Sequence, residues 1–309
     1  MSFASTVKEE VTNLDLTRPE KISELSGFIR STYKISDPNR GIYTENTKIA
    51  KMIYSFLKEV YSVKCEILVN ANSTFNKRKT FNIIIHEKLD FILEDLSVVT
   101  SKGEFILTPK DYIASSEDEI RAYIRGAFFA CGSINDPKTS QYHLEFLFDY
   151  KEEAVFIQRL LNEFDLNAKL LLREKKIMVY IKDSDDISDF LKIIGASNAV
   201  MYYENVRAMK EQINITNRLN NCEQANTDKI LMTSNEQIKE INYILSKLDM
   251  DLLDDKIQEI INYRLEYPES SLSELSEIIS METNKKITKS GLNHRFRKIK
   301  EIYNRLKDN

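Results

Sequence analysis

The sequence predicts an α+β protein: one mixed helix–strand unit, duplicated in tandem, forms an antiparallel saddle sheet, and an all-helical region follows it. Three observations point this way. Helix, strand, helix, hairpin and helix signals occur twice in the same order, at a period of roughly 100 residues, beyond the usual solenoid range. One helix in each half carries small residues between apolar ones, Ser26-Gly27 in the first and Gly126 with Ala130 in the second, so that partner backbones can approach closely. From Ser234 onward the strand pattern stops and only helical periodicity remains.

In chain order, Ser5 to Leu16 reads as a short helix. Glu20 to Tyr33 reads as a second, with Ile22, Leu25, Phe28 and Ile29 on one face. Glu45 to Tyr61 turns Ile49, Met52, Ile53, Phe56, Leu57 and Val60 inward. Cys65 to Asn70 and Thr80 to Ile85 are expected strands, joined by the polar turn Asn72 to Lys79. A short helix, His86 to Leu96, closes the first half. After a connector containing Pro109, helical spacing returns over Ile120 to Cys131, is stopped by Gly132, and passes into the extended Ser133-Ile134-Asn135. Strand Tyr142 to Asp149 and helix Glu152 to Phe164 follow. A hairpin of Ala168–Arg173 and Lys176–Ile181 comes next, with Glu174-Lys175 near its turn. Asp185 to Ile194 is a helix ended by Gly195.

Val200 to Asn221 is polar and helical and runs into the Asn-rich stretch Asn217 to Lys229. Asn is poor in helix interiors, so one expectation there is a solvated linker. The other is that Arg207, Lys210, Asn217, Arg218 and Asn221 meet phosphates or brace an interdomain contact. Ser234 with Gln237 has capping-box spacing and is expected to start a helix reaching about Leu248. Asp254 to Leu265 forms the next helix, ended by Tyr267-Pro268. Ser271 caps a short one with Leu272, Leu275, Ile278 and Ile279 inside. After the connector Ser280 to Thr288, Ser290 is expected to cap the last helix, whose apolar face is Leu292, Phe296, Ile299, Ile302, Tyr303 and Leu306. The expected boundaries are 1–115 and 116–221 for the repeats, 222–252 for a linker with a helix, and 253–309 for the terminal domain.

Composition narrows the function classes. A chain of 309 residues, 42% apolar and 30% charged, suggests two or three domains with substantial cores. The formal charge of -4 gives no global nucleic-acid signal, so any phosphate binding must come from local patches. Cys65, Cys131 and Cys222 lie far apart with no CxxC pair and no His cluster, which argues against a zinc site and a disulfide framework. No signal peptide or bilayer-length apolar run is read. The expected home is the cytoplasm, with no membrane association and no cofactor. His86 and His143 are isolated, and the acid pairs Glu152-Glu153 and Asp185-Asp186 stand at helix starts, where carboxylates suit the dipole.

The final helix carries the clearest chemistry. Lys289, Ser290, Gly291, Asn293, His294, Arg295, Arg297, Lys298 and Lys300 crowd its first turns, preceded by Lys285 and Lys286. Short helices, a connector and a basic last helix resemble a helix-turn-helix module. In such docking the N-terminal end of the last helix meets base edges. Asn reads adenine and Arg guanine through paired hydrogen bonds, and lysines neutralise phosphates. The helix start near Ser290 and Gly291 also favours a phosphate. An ordinary basic surface helix is the bland account; the order of helices before it favours double-stranded DNA.

The helix from Ile124 to Gly132 resembles the LAGLIDADG motif of homing endonucleases. Aligned to it, the metal-binding acid falls on Cys131, and a degenerate first copy, Leu25 to Tyr33, places Thr32 there. LAGLIDADG cleavage needs one acid from each motif helix to hold divalent metals that activate water. Thr32 is a weak ligand and Cys131 a soft one, so no metal and no catalytic activity are expected. Asp136 next to Pro137 reads as the start of a turn, and Cys131, with no base beside it, as a packed core thiol.

Five segments extend the resemblance to the WhiA family. They are RAYIRGAFFACGSINDPK (Arg121 to Lys138), YHLEF (Tyr142 to Phe146), NRLNNCEQAN (Asn217 to Asn226), RLEYPESSLSEL (Arg264 to Leu275) and KSGLNHRFRKI (Lys289 to Ile299). The resemblance covers nearly the whole chain. It implies a duplicated LAGLIDADG-like domain followed by an all-α helix-turn-helix domain, in a nucleoid-located regulator of transcription linked to sporulation, or to cell division and chromosome segregation. A protein partner in transcription or division is also implied as an option. The alternative is a nucleoid-associated or scaffold protein whose LAGLIDADG-like half binds a protein. The departure from the family is the lengthened connector METNKKIT (Met281 to Thr288) before the last helix, which leaves that helix's angle open.

Overall fold

The structure is a computed structural model that describes residues 2–32, 42–71, 79–173 and 176–308. The turn expected over Asn72 to Lys79 lies outside these residues except for Lys79, and Glu174-Lys175 lies wholly outside. The chain forms two compact units, Met1–Lys210 and Glu211–Asn309.

The first unit is built around two helices, α2 (Arg18–Thr32) and α5 (Glu117–Cys131), after a short α1 (Phe3–Val11). Here α2 and α5 meet backbone to backbone. A Cβ on Gly27 would stand 2.3 Å from the Tyr123 carbonyl oxygen, and one on Gly126 would stand 2.1 Å from that of Glu24. Only glycine fits at this crossing. Helix α5 begins one turn earlier than apolar spacing suggests, because Ser116 and Glu119 close a capping box.

Each repeat carries its own antiparallel sheet. In the first, β1 (Ile42–Thr44), β2 (Cys65–Ala71) and β3 (Lys79–Ile85) lie in the order β1-β3-β2, with α3 (Thr47–Tyr61) between β1 and β2 in sequence and α4 (Leu89–Asp95) after them. In the second, β4 (Gly132–Ile134), β5 (Leu144–Phe148), β6 (Lys169–Arg173) and β7 (Lys176–Ile181) lie in the order β4-β5-β7-β6, with α6 (Lys151–Glu163) and α7 (Ser184–Ile193). The expected saddle sheet is therefore two sheets, one per repeat. Alternation places Phe146 opposite Val179 and Ile67 opposite Ile83, and all four side chains join a core shared by both repeats. Strand β1 escaped the sequence reading because three residues are too few to show a period.

Helix α8 (Ser197–Leu245) runs unbroken through the Asn-rich stretch, whose residues are all exposed, and overturns one expectation: Ser234 starts no helix. An Asn costs at most about 0.7 kcal/mol against Ala in a helix, and no Gly or Pro interrupts the span. The buried Ser234 hydroxyl instead donates to the Pro268 carbonyl. At its start, α8 is capped from a distance: the Glu10 carboxylate accepts from the Asn198 and Ala199 amides at 2.7 and 3.1 Å.

The second unit packs the end of α8 with α9 (Asp255–Glu266), α10 (Leu272–Thr283) and α11 (Lys289–Lys307). Its core joins Ile241, Ile260, Ile279, Leu292, Phe296 and Ile299. Two local expectations change. Thr288, not Ser290, caps α11: its backbone is extended and its side chain accepts from the Gly291 amide at 3.2 Å, which leaves Ser290 inside the helix. The lengthened connector is largely absorbed as well. Met281 to Thr283 extend α10, which ends at Asn284 in the left-handed region at φ +54°, and only 284–288 bridge to α11. That bridge is held where the Ser280 hydroxyl oxygen accepts from the Ile287 amide at 3.0 Å.

Candidate nucleic-acid interface

The rotation of α11 is fixed by burial of Leu292, Phe296 and Ile299. Side chains four apart share a stripe, so Asn293 and Arg297 fall together, with Ser290, His294 and Lys298 beside them. All five are exposed, as is Lys289. None of Lys289, Arg297 and Lys298 takes an ion pair among the described residues. Two members of the expected set are placed differently. Arg295 is half-buried and pairs with Glu259 of α9 at 3.3 Å, so it braces α11 from behind. Lys300 pairs with Glu240 of α8 at 3.5 Å while staying 59% exposed. Gly291 contributes its amide to the Thr288 cap, and a Cβ there would meet only the Thr288 hydroxyl oxygen, at 3.4 Å.

The polar residues of α8 divide. Arg207 pairs with Glu204 and Asp185, and Lys210 donates to the Thr139 carbonyl while lying 5.0 Å over the Tyr142 ring. Both serve the first unit. Asn217, Arg218 and Asn221 are exposed.

At the C-terminal ends of α2 and α5, the two positions of the motif acids turn back on their own helices. The Thr32 hydroxyl lies 3.0 and 3.2 Å from the Phe28 and Ile29 carbonyls, and the Cys131 thiol donates to the Ala127 carbonyl at 3.3 Å. Burial pushes the thiol up to about 12, with Glu153 adding to the rise and Lys8 opposing it. Sequence reasoning missed both neighbours. Lys8 donates to the Phe129 carbonyl at 3.2 Å and lies 5.2 Å over the Phe128 ring; burial lowers its ammonium to about 8. Glu153 is not the dipole-facing surface acid its place in the first turn of α6 suggests. It is buried, accepts from the Ser31 hydroxyl at 2.7 Å, and is raised by desolvation. A hydroxyl, a thiol, an ammonium and a single carboxylate do not suit a divalent ion that demands several oxygens. Among the described residues no group of three His, Cys, Asp or Glu is placed to hold a metal. Asp136 belongs to its turn, accepting from the Lys138 amide at 2.9 Å and from the Tyr202 hydroxyl.

The sheet faces turned away from the core have apolar centres. Leu68 and Ile84 lie on the first, and Leu147, Leu171 and Met178 on the second. Glu145 on the second face binds His143 at 3.0 Å and Arg173 at 3.6 Å. His143 also stacks on Tyr180, so it is not isolated.

Three family models match the chain: the WhiA N-terminal LAGLIDADG-like domain over residues 18–99, the WhiA LAGLIDADG-like domain over 120–212, and the WhiA C-terminal HTH domain over 216–303. Similar proteins include the probable cell division protein WhiA of Bacillus cereus (strain B4264), 42% identical over 99% of this chain and 98% of that one. The protein of the same description from Bacillus mycoides (strain KBAB4) matches at the same identity and coverage. Among solved structures, full-length WhiA from Thermotoga maritima superposes with a TM-score of 0.58 at 23% identity, covering 99% of each chain. The N-terminal LAGLIDADG domain of a WhiA protein gives 0.50 at 25% identity, covering 63% of this chain and 90% of that one.

Proposed function

Because the chain belongs to the WhiA family, we propose that it is a DNA-binding regulator of transcription, acting in the cytoplasm at the nucleoid, in sporulation or in cell division and chromosome segregation. The observation that carries this reading is the exposed set Lys289, Ser290, Asn293, His294, Arg297 and Lys298 on one side of α11, with its cations unpaired among the described residues and its opposite side locked into a core. Asn293 and Arg297 read base edges; Lys289 and Lys298 neutralise phosphates. On this reading the LAGLIDADG-like half is catalytically dead: Thr32 and Cys131 are bonded to their own helices, and among the described residues no group of three His, Cys, Asp or Glu is placed to hold the metal that hydrolysis requires. No helix among the described residues is long and apolar enough to cross a membrane.

Selection of binding sites from randomised duplexes tests the reading. Asn293→Ala and Arg297→Ala should each relax preference at one position by about 1–3 kcal/mol. Loss of affinity without loss of preference would contradict it. The second reading, a scaffold whose LAGLIDADG-like half binds a protein partner, draws on the apolar centres of the two sheet faces. Under that reading, both variants leave sequence preference unchanged.

A further inference from the structure

Arg264 of α9 is 1% exposed, yet no carboxylate pairs with it among the described residues. Its Nη1 donates to the Ser270 carbonyl at 2.7 Å, the Tyr267 carbonyl at 3.3 Å and the Ser234 hydroxyl at 3.4 Å, the guanidinium lies 5.4 Å over the Phe296 ring, and its buried Nε has no hydrogen-bond partner among the described residues. These neutral acceptors hold the guanidinium in place without cancelling its charge. Buried Arg125 of the first unit differs, being paired with Glu24. A buried charge left without a counter-charge is costly to the fold, and Arg264 carries it beside an open cavity.

That cavity has a volume of about 450 Å³ and is lined by Arg264, Ser234, Lys229, Ser271, Ser273 and Lys289 among others. Lys229 and Lys289 are exposed and unpaired among the described residues. Helix α10 starts at the cavity. Its Ser271–Glu274 capping box occupies the amides of Ser271 and Glu274, while those of Leu272 and Ser273 have no acceptor among the described residues. Donors and positive charge converge, and the Glu274 carboxylate that stands nearby is engaged with the Ser271 amide at 2.7 Å.

We propose that this cavity binds a phosphate group, held by the Arg264 guanidinium, the Leu272 and Ser273 amides, the Ser271 and Ser273 hydroxyls, and the Lys229 and Lys289 ammonium groups. Backbone amides at a helix start together with flexible cations suit a tetrahedral anion. The group is either a backbone phosphate of bound DNA or the phosphate of a free small molecule; the first source rests on the DNA-binding reading above.

The test uses the intact chain. Inorganic phosphate is titrated in against chloride at matched ionic strength, and the Arg264 Nε–H resonance is followed. The resonance should shift and saturate with phosphate alone, and Lys229→Gln, a change at an exposed helix position, should weaken that response several-fold. DNA binding of the same variant, over a salt series, separates the sources. If DNA is the source, Lys229→Gln lowers the log–log salt slope by about 0.9 with base preference retained. If a free phosphate compound is the source, the slope is unchanged while the resonance still responds. An Arg264 signal indifferent to phosphate, with an unchanged slope for Lys229→Gln, overturns the proposal. That result leaves the role of α11 standing, because base preference is read separately from Asn293→Ala.

Discussion

Replacing Gly126 by Ala tests the contact that organises the first unit. A Cβ at residue 126 would lie 2.1 Å from the Glu24 carbonyl oxygen and 2.9 Å from the Phe28 amide nitrogen, where ordinary contact starts at 3.4 Å. Both obstructing atoms are backbone of α2, so no side chain can swing aside and the helices must part by about 1.3 Å. Overpacking of this kind costs about 3 kcal/mol at the upper end of its usual range, and the gain from Ala over Gly in a helix returns about 1 kcal/mol, leaving about 2 kcal/mol of destabilisation. For a unit of this size, that corresponds to a fall in melting temperature of roughly 4–8 °C. Calorimetry of the intact chain should show the transition of Met1–Lys210 moving down while that of Glu211–Asn309 stays. Gly291→Ala is the control, since its Cβ meets only a hydroxyl oxygen at 3.4 Å; the same substitution there should leave the second transition unchanged or raise it. A Gly126→Ala transition that stays or rises would refute the backbone-to-backbone crossing.

Three further outcomes follow from the site geometry. Lys8 has its ammonium lowered from 10.5 to about 8 in the fold, so its share of stability is present above pH 10.5 and is lost as pH falls through 8. Relative to Lys8→Met, the first unit should therefore gain up to about 3 kcal/mol between pH 8 and 10.5 in denaturant titrations, and parallel curves would contradict the burial of the ammonium. Cys131, raised to about 12, should react with maleimide at pH 8 about three orders of magnitude more slowly than the exposed Cys222, read by peptide mass analysis. Comparable rates would mean that the end of α5 is open. Lys298→Gln should reduce the salt slope of DNA binding by about 0.9 without changing which sequences are preferred, whereas a changed preference would make Lys298 a base reader.

Much of this was legible in the chain because it rests on periodicity and residue size. Gly27 and Gly126 stand out as small residues inside apolar helical spacing, and the crossing they permit is the one observed. The basic start of α11 is equally plain, because Leu292, Phe296 and Ile299 define its buried side and thereby its open one. What stayed hidden depends on contacts remote in sequence. Glu153 looks like any first-turn acid until Ser31, on another helix, is placed against it. Arg295 is indistinguishable from Arg297 until Glu259 comes within reach on α9. Thr288 and Ser290 are both hydroxyl residues at a helix start, and the extended backbone at Thr288 decides between them. The Asn density of α8 does not interrupt the helix because propensity is a weak, additive tendency, while the absence of Gly and Pro leaves the helix no reason to stop.

The most direct measurement is photo-crosslinking to a selected duplex, with a photoreactive residue at position 293 in one variant and at position 171 in another. Asn293 lies on the open side of α11, and Leu171 is 50% exposed on the sheet face of the second repeat. Crosslinks from 293 to bases at a defined place in the duplex, with none from 171, are the expected result. Crosslinks from 171 with none from 293 would move DNA recognition to the LAGLIDADG-like half and contradict the role given to α11.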